Sequence, residues 1–259
     1  MPDFSTDAIL LRKIEYGDYD LIISFFTQAK GKLTVIAKNA KKSVKRFSGA
    51  MDLFSVNQIQ CVMPKKKKDG LIILSRADLE NGFAGIRYDV LKTAYASFWV
   101  ELIYFWAEEG KPDERLYYLL LFSLEKLSEG ALEKSVASLL FQIRFMHISG
   151  FSPRLDTCDH CGTLLDRMAQ KKIWFDFQDG RIVCRHCEGK RNKFGMMVSK
   201  GTIKQLYWIN HTPEERVDRI KFSRIAIQEG ERLLESFVGF HIGRTFKSLR
   251  FLNRMRQKQ

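Results

Sequence analysis

The chain has 259 residues, 45% hydrophobic and 28% charged, with 43 Lys and Arg against 30 Asp and Glu. That length and balance are those of an ordinary globular protein with room for two cores, and the longest apolar run, 94–107, is broken by Glu101 and too short to span a bilayer. The formal charge of +13 says little about fold and points to nucleic acid or an acidic protein surface as partner. Met1-Pro2-Asp3-Phe4 has neither a basic n-region nor an apolar h-region, so the expected location is intracellular, in a reducing compartment.

Residues 4–79 read as short strands, at 6–13, 20–27, 32–37, 54–62 and 70–75, separated by turn residues such as Tyr16-Gly17-Asp18 and Lys30-Gly31. Five strands in so short a stretch suggest a small closed barrel; an OB-fold fits the strand count best and an SH3-like barrel next. Beyond Gly85 the period becomes helical. Leu91, Tyr95, Phe98, Leu102 and Phe105 fall on one face of a helix over 88–109, and further helices are predicted over 112–127, 132–149, 199–209 and 220–240. The aromatic residues of these helices read as bundle core, with Trp99 and Trp106 the candidates for a surface groove. Cys61, alone in an alternating stretch, reads as a small buried hydrophobe.

Cys158-Asp159-His160-Cys161 and Cys184-Arg185-His186-Cys187 are two Cys-x-x-Cys pairs with 22 residues between them. Such pairs present four thiolates to one tetrahedral Zn²⁺ at about 2.3 Å, a closed structural site with no position for a catalytic water. Ile173-Trp174-Phe175-Asp176-Phe177 and Arg181-Ile182-Val183 flank Asp179-Gly180, which predicts a hairpin leading into the second pair, the layout of a zinc ribbon. Gly162 suits the tight knuckle after the first pair. Two disulfides would need an oxidising compartment, and thioredoxin-like chemistry uses one pair at a helix start. His160 and His186 read as solvated knuckle residues. The expected fold is α+β: a five-stranded OB-fold β-barrel over 1–82, then an all-α domain over 83–259 carrying an inserted four-cysteine, zinc-ribbon-like module at about 151–194.

The positive charge is clustered. No acid lies between Asp20 and Asp52, while Lys30, Lys32, Lys38, Lys41, Lys42, Lys45 and Arg46 do. Lys65-Lys66-Lys67-Lys68 forms the loop between strands 4 and 5, one of the two OB-fold loops that meet oligonucleotides. The other, between strands 1 and 2, is acidic, but its Tyr16 and Tyr19 are placed to stack on bases. A third cluster holds Arg244, Lys247, Arg250, Arg254, Arg256 and Lys258. No phosphate-cradling Gly-x-x-x-x-Gly-Lys loop, His-Glu-x-x-His or Gly-x-Ser-x-Gly is present. Lys67-Lys68-Asp69-Gly70 matches the ligase Lys-x-Asp-Gly, but fewer than 70 residues precede it, too few for a nucleotide-binding domain. Three readings compete: a DNA-binding and annealing mediator, a ligase or nuclease, and a zinc-ribbon transcription or translation factor.

Gly150-Phe151-Ser152-Pro153-Arg154-Leu155-Asp156-Thr157-Cys158-Asp159-His160-Cys161-Gly162 resembles the Gly-Phe-x-Pro-x-Leu-x-x-Cys-x-x-Cys-Gly signature of the RecO family of DNA repair and recombination mediators. Ala8-Ile9-Leu10-Leu11, Asp18-Tyr19-Asp20, Thr27 with Gly31-Lys32, and Lys247-Ser248-Leu249-Arg250-Phe251-Leu252 are similar to further parts of that family, so the likeness spans the chain. Ala37-Lys38-Asn39-Ala40-Lys41-Lys42 departs from the family's Ala-Lys-Gly, yet Asn tolerates the left-handed region. The resemblance implies a cytoplasmic, nucleoid-associated protein without an active site. It would bind single- and double-stranded DNA, anneal complementary strands, bind the acidic tail of single-stranded DNA-binding protein, and act with RecR to load RecA in the RecF pathway of the DNA damage response.

Overall fold

The structure, a computed structural model, describes residues 3–64, 70–190, 192–219 and 221–257. The first strands are β1 (Phe4–Tyr16), β2 (Asp20–Thr27) and β3 (Gly31–Ala37), followed by a helical turn α1 (Val44–Phe47), then β4 (Val56–Val62) and β5 (Ile72–Asn81). They close into a barrel in the order β1-β2-β3-β5-β4. Parallel pairing of Val35 with Ile72 and Ile36 with Ile73 makes the closure, and with α1 between β3 and β4 this is OB-fold topology. Strict alternation along β3 turns Leu33, Val35 and Ala37 inward, where they meet Ile23, Phe25, Ile59 and Cys61, and Phe47 and Ala50 plug the barrel. Burial pushes the Cys61 thiol up to about 12, as suits an inert core residue. Asn39 has φ 54, the left-handed conformation expected of it, and its N–H donates to the Asp20 carboxylate at 2.7 Å.

Beyond the barrel come α2 (Ala84–Arg87), α3 (Val90–Trp106), α4 (Glu114–Glu129), α5 (Lys134–Ile148), β6 (Arg154–Cys158), β7 (Lys172–Asp176), β8 (Arg181–Val183), β9 (Gly195–Ser199), α6 (Lys200–His211), α7 (Arg224–Ile242) and α8 (Lys247–Arg256). The chain divides into two compact units, 1–129 with 246–259, and 130–245. The change of period at 82/83 marks where strands give way to helices, and compactness does not follow it. Helices α2 to α4 share the barrel's unit, and α8 rejoins that unit after the second.

Within the first unit the outer face of β2 and β3 is covered. Phe26 packs against Tyr117 with ring centroids 6.2 Å apart, and the Lys32 ammonium donates to the Tyr104 carbonyl at 3.0 Å. Residues 108–111 complete the free edge of β3: the Gly110 N–H donates to the Lys32 carbonyl at 2.9 Å and the Thr34 N–H to the Glu109 carboxylate at 2.6 Å. Gly31 is needed here twice over. Its φ is +65, and a Cβ would lie 1.9 Å from the Lys111 carbonyl oxygen. Trp99 is fully enclosed, so it belongs to the core and not to a surface groove; Trp106 is half-buried.

Helix α8 docks on α3. Phe246 meets Phe98 edge-on at 5.6 Å, and the Glu101 carboxylate accepts the N–H groups of Lys247 at 3.2 Å and Ser248 at 2.8 Å, together with the Ser248 hydroxyl. Glu101 thus caps a helix start that its own N-cap residue, Phe246, leaves uncapped. Glu101→Ala should cost about 2 kcal/mol, measured by urea unfolding, because charged acceptors contribute more than neutral ones; an unchanged midpoint would show the cap to be replaceable by water.

The second unit holds a four-stranded sheet in the order β6-β8-β7-β9 with α5, α6 and α7. The β7–β8 hairpin turns at Asp179-Gly180 as predicted, with Gly180 at φ 63. Strands β6 and β9 widen the expected ribbon into a sheet, and Phe175 packs edge-on against Phe237 of α7 at 5.2 Å. Among the described residues, no helix is long and apolar enough to cross a membrane.

Candidate metal centre and nucleic-acid interface

The four cysteines converge. The sulfurs of Cys158, Cys161, Cys184 and Cys187 all lie within 4.8 Å of one another. A tetrahedron of sulfurs about 2.3 Å from a central ion has edges of about 3.8 Å, so this cluster can hold a metal ion. Cys161 and Cys184 approach to 3.6 Å, far beyond the length of a disulfide at about 2.0 Å. Local backbone builds each knuckle. The Gly162 N–H donates to the Cys158 carbonyl at 3.0 Å with Gly162 at φ +68, and the Cys187 N–H returns to the Cys184 carbonyl at 3.0 Å. The Cys184 N–H also points at the Cys158 sulfur, 3.3 Å away, which ties the second knuckle to the first.

Three of the thiols are buried and Cys161 is exposed. Hydrogen bonding to the Thr163 hydroxyl and backbone, and then to Cys184, brings the Cys161 thiol down to about 6, while burial pushes Cys187 up to about 12. A coordinated ion would override both, since a ligating thiol is a thiolate. His160 and His186 are exposed, and the cluster consists of sulfurs alone.

Among the described residues, the basic side chains fall into separate groups. Lys38, Lys41, Lys42 and Lys45 gather after β3, at the same end of the barrel as the β1–β2 tip. There the Lys42 ammonium sits 3.4 Å from the Tyr19 ring centroid, and the Tyr16 and Tyr19 rings are 56% and 42% exposed. Lys41 is paired with Glu15 at 2.9 Å, which holds that carboxyl below its ordinary range. Arg46 is turned back into the loop, donating to the Ser43 hydroxyl at 2.9 Å and the Lys38 carbonyl at 2.7 Å. Lys38 and Lys45 are exposed, and among the described residues no carboxylate pairs with them.

Lys30 lies apart, at the β2–β3 turn, with its ammonium 5.0 Å from the Phe4 ring. Lys32 is half-buried against Tyr104, where it holds helix to barrel. Lys65, Lys66, Lys67 and Lys68 lie outside the described residues, as does Lys258. The third cluster resolves into a helix face. Lys247, Arg250 and Arg254 fall at i, i+3 and i+7 on the exposed side of α8, while Arg256 turns in to the Tyr95 hydroxyl at 3.2 Å. Arg244 has a partner of its own and stands outside that stripe.

Comparison with known proteins agrees with this architecture. The family model "Recombination protein O N terminal" matches residues 1–83 and "Recombination protein O C terminal" matches 87–250. "DNA repair protein RecO" of Desulfatibacillum aliphaticivorans is 46% identical over 258 residues, covering 100% of this chain and 99% of its own. The proteins of that name from Desulfosudis oleivorans and Syntrophus aciditrophicus are 36% and 32% identical, covering 99% and 97% of this chain and 99% and 96% of their own. On a closed OB-type barrel, a helical remainder and a cysteine cluster, matched from end to end, the chain belongs to the RecO family of DNA repair proteins.

Proposed function

We infer that this chain binds single- and double-stranded DNA and anneals complementary strands without being an enzyme, with one structural Zn²⁺ on Cys158, Cys161, Cys184 and Cys187. The observation that carries the reading is the barrel end that bears exposed Lys38 and Lys45, with no carboxylate partner among the described residues, and exposed Tyr16 and Tyr19, with Lys42 against Tyr19. Lysines there neutralise phosphates, and tyrosine faces accept unstacked bases whatever their sequence. The helical layer on the outer face of β2 and β3 directs a strand to this end, because the open sheet face of other OB-folds is covered here. The stripe Lys247, Arg250 and Arg254 on α8 offers a further run of cations.

Annealing on such surfaces is charge screening. Two polyanions held on cationic faces repel each other less, and base pairing then takes over. Membership of the family supports the wider role, in which the protein acts with RecR and the acidic tail of single-stranded DNA-binding protein to load RecA within the RecF pathway, at the cytoplasmic nucleoid. The zinc site would be architectural, with all positions taken by sulfur. The test is annealing of complementary oligonucleotides by the purified zinc-loaded chain. It should proceed without nucleotide at an undiminished rate, and a strict ATP requirement, or absence of strand binding at low salt, would refute the reading.

A further inference from the structure

Next to the cysteine cluster the second unit carries a cleft that barrel-based strand binding does not use. One cavity of about 660 Å³ and another of about 240 Å³ share Gln170, Cys184 and Arg185 along their walls. Arg167 and Arg185 line the larger one and have no ionic partner among the described residues, and no acid lines it. Asp166, beside Arg167 in the chain, is already paired with Lys204. The smaller cavity is lined by Trp174, Val183, Met197 and Lys172, and among the described residues Glu188 is the only acid on either lining. Gln170 lines both cavities, and its side-chain nitrogen is buried without a hydrogen-bond partner among the described residues.

We propose that this cleft is a second binding surface for single-stranded nucleic acid, with phosphates on Arg167 and Arg185 and a base between Trp174 and Met197. An unpartnered buried amide donor is costly, and a pyrimidine carbonyl in the smaller cavity supplies the missing acceptor. A peptide carbonyl supplies the same acceptor, so what favours a nucleotide is the combination of two guanidinium groups on one cavity with an indole face on the other. Indole and thioether faces accept any base by stacking, and the guanidinium groups give the electrostatic part. The proposal rests on the strand-binding reading above and extends it: one chain would carry two separate strand sites, the barrel end on the first unit and this cleft on the second.

The experiment uses the full zinc-loaded chain and oligo(dT), titrated at several salt concentrations. Reversal of the barrel end by Lys38→Glu, Lys42→Glu and Lys45→Glu should leave residual oligo(dT) binding. Adding Arg167→Gln and Arg185→Gln should cut that residue at least tenfold and lower the salt slope by about 1.4, two phosphate contacts at about 0.7 each. Oligo(dT) should also quench tryptophan fluorescence in the wild type, and Trp174→Phe should abolish the component that persists in the barrel variant. Wild-type metal content in each variant confirms that the knuckles are intact. If the wild type binds oligo(dT) but the barrel variant binds none, or if its residual binding ignores both arginine changes, the cleft is not a strand site while the barrel reading stands. If the wild type binds no strand at all, both fall. Binding of an acidic peptide ending in an aromatic residue, lost with Arg167→Gln and Arg185→Gln while oligo(dT) binding is not, would assign the cleft to peptide and overturn the proposal.

Discussion

Cys184→Ser is expected to leave the chain without a stoichiometric metal ion and to remove the second unit's cooperative unfolding transition at its wild-type temperature. Two parts of that unit differ in what supports them. In the strands, Ile173, Phe175 and Ile182 are fully buried and Phe175 rests on Phe237, so an apolar core holds them. The knuckles after Cys158 and after Cys184 are short turns, and an ion bound to their four sulfurs would cross-link them. Structural zinc contributes on the order of 10 kcal/mol in isolated small modules, and a fraction of that is enough to unfold a unit of ordinary stability. The first unit supplies no ligand and should keep its own transition. Elemental analysis with calorimetry, before and after chelation, checks this; a metal-free protein with the wild-type melting profile would contradict it.

The second large effect concerns the barrel end. Lys38→Glu, Lys42→Glu and Lys45→Glu together should flatten the slope of log affinity against log salt by about two units, since each single-strand phosphate contact contributes about 0.7. At 0.1 M salt this corresponds to roughly a hundredfold weaker binding, before any repulsion from the new carboxylates. All three side chains are exposed, and the only packing sacrificed is the Lys42 contact with Tyr19. Lys41 is left out because it already has Glu15 as its partner. The loss should be the same for strands of any sequence, as phosphate contacts carry no base readout. An unchanged slope in a folded triple variant would move the interface to Lys247, Arg250 and Arg254 on α8.

Much of this is legible in the residues, for identifiable reasons. Barrel strands alternate with period two and the cysteine pairs fix their own geometry, so topology and metal cluster follow from local signals. Helix α3 appears over 90–106 within the predicted 88–109, because Asp89 caps its start through the N–H groups of Leu91 and Lys92. Two of the misses are nonlocal. Strand β9 is a short edge, Gly195-Met196-Met197-Val198-Ser199, whose identity as a strand depends on β7 beside it. Lys32 looks like its neighbouring lysines in sequence, and only its tertiary contact with Tyr104 separates it from the exposed ones, whereas Arg46 is turned back locally, by Ser43 three residues before it and by the Lys38 carbonyl. Helix α8 is strongly amphipathic, with Lys247, Arg250 and Arg254 on one face and Leu252 buried on the other, so its stripe is open to the same helical period that marks α3 and is missed where the cluster is read as charge alone. Helix α8 is held by α3 and Glu101 in addition to its own amphipathic pattern.

The return of α8 to the first unit has a kinetic consequence. Glu101 and Lys247 are 146 positions apart, so their contact closes a loop containing the entire second unit. During translation α8 emerges after that unit, and until then the α3 face bearing Phe98 and Glu101 has no lid. The barrel, built from contacts among neighbouring strands, can form early; the docking of α8 is a long-range step that closes late and slowly. A nascent chain therefore displays an apolar helix face for the whole interval in which 130–245 is being made, and that face is where a chaperone would engage it.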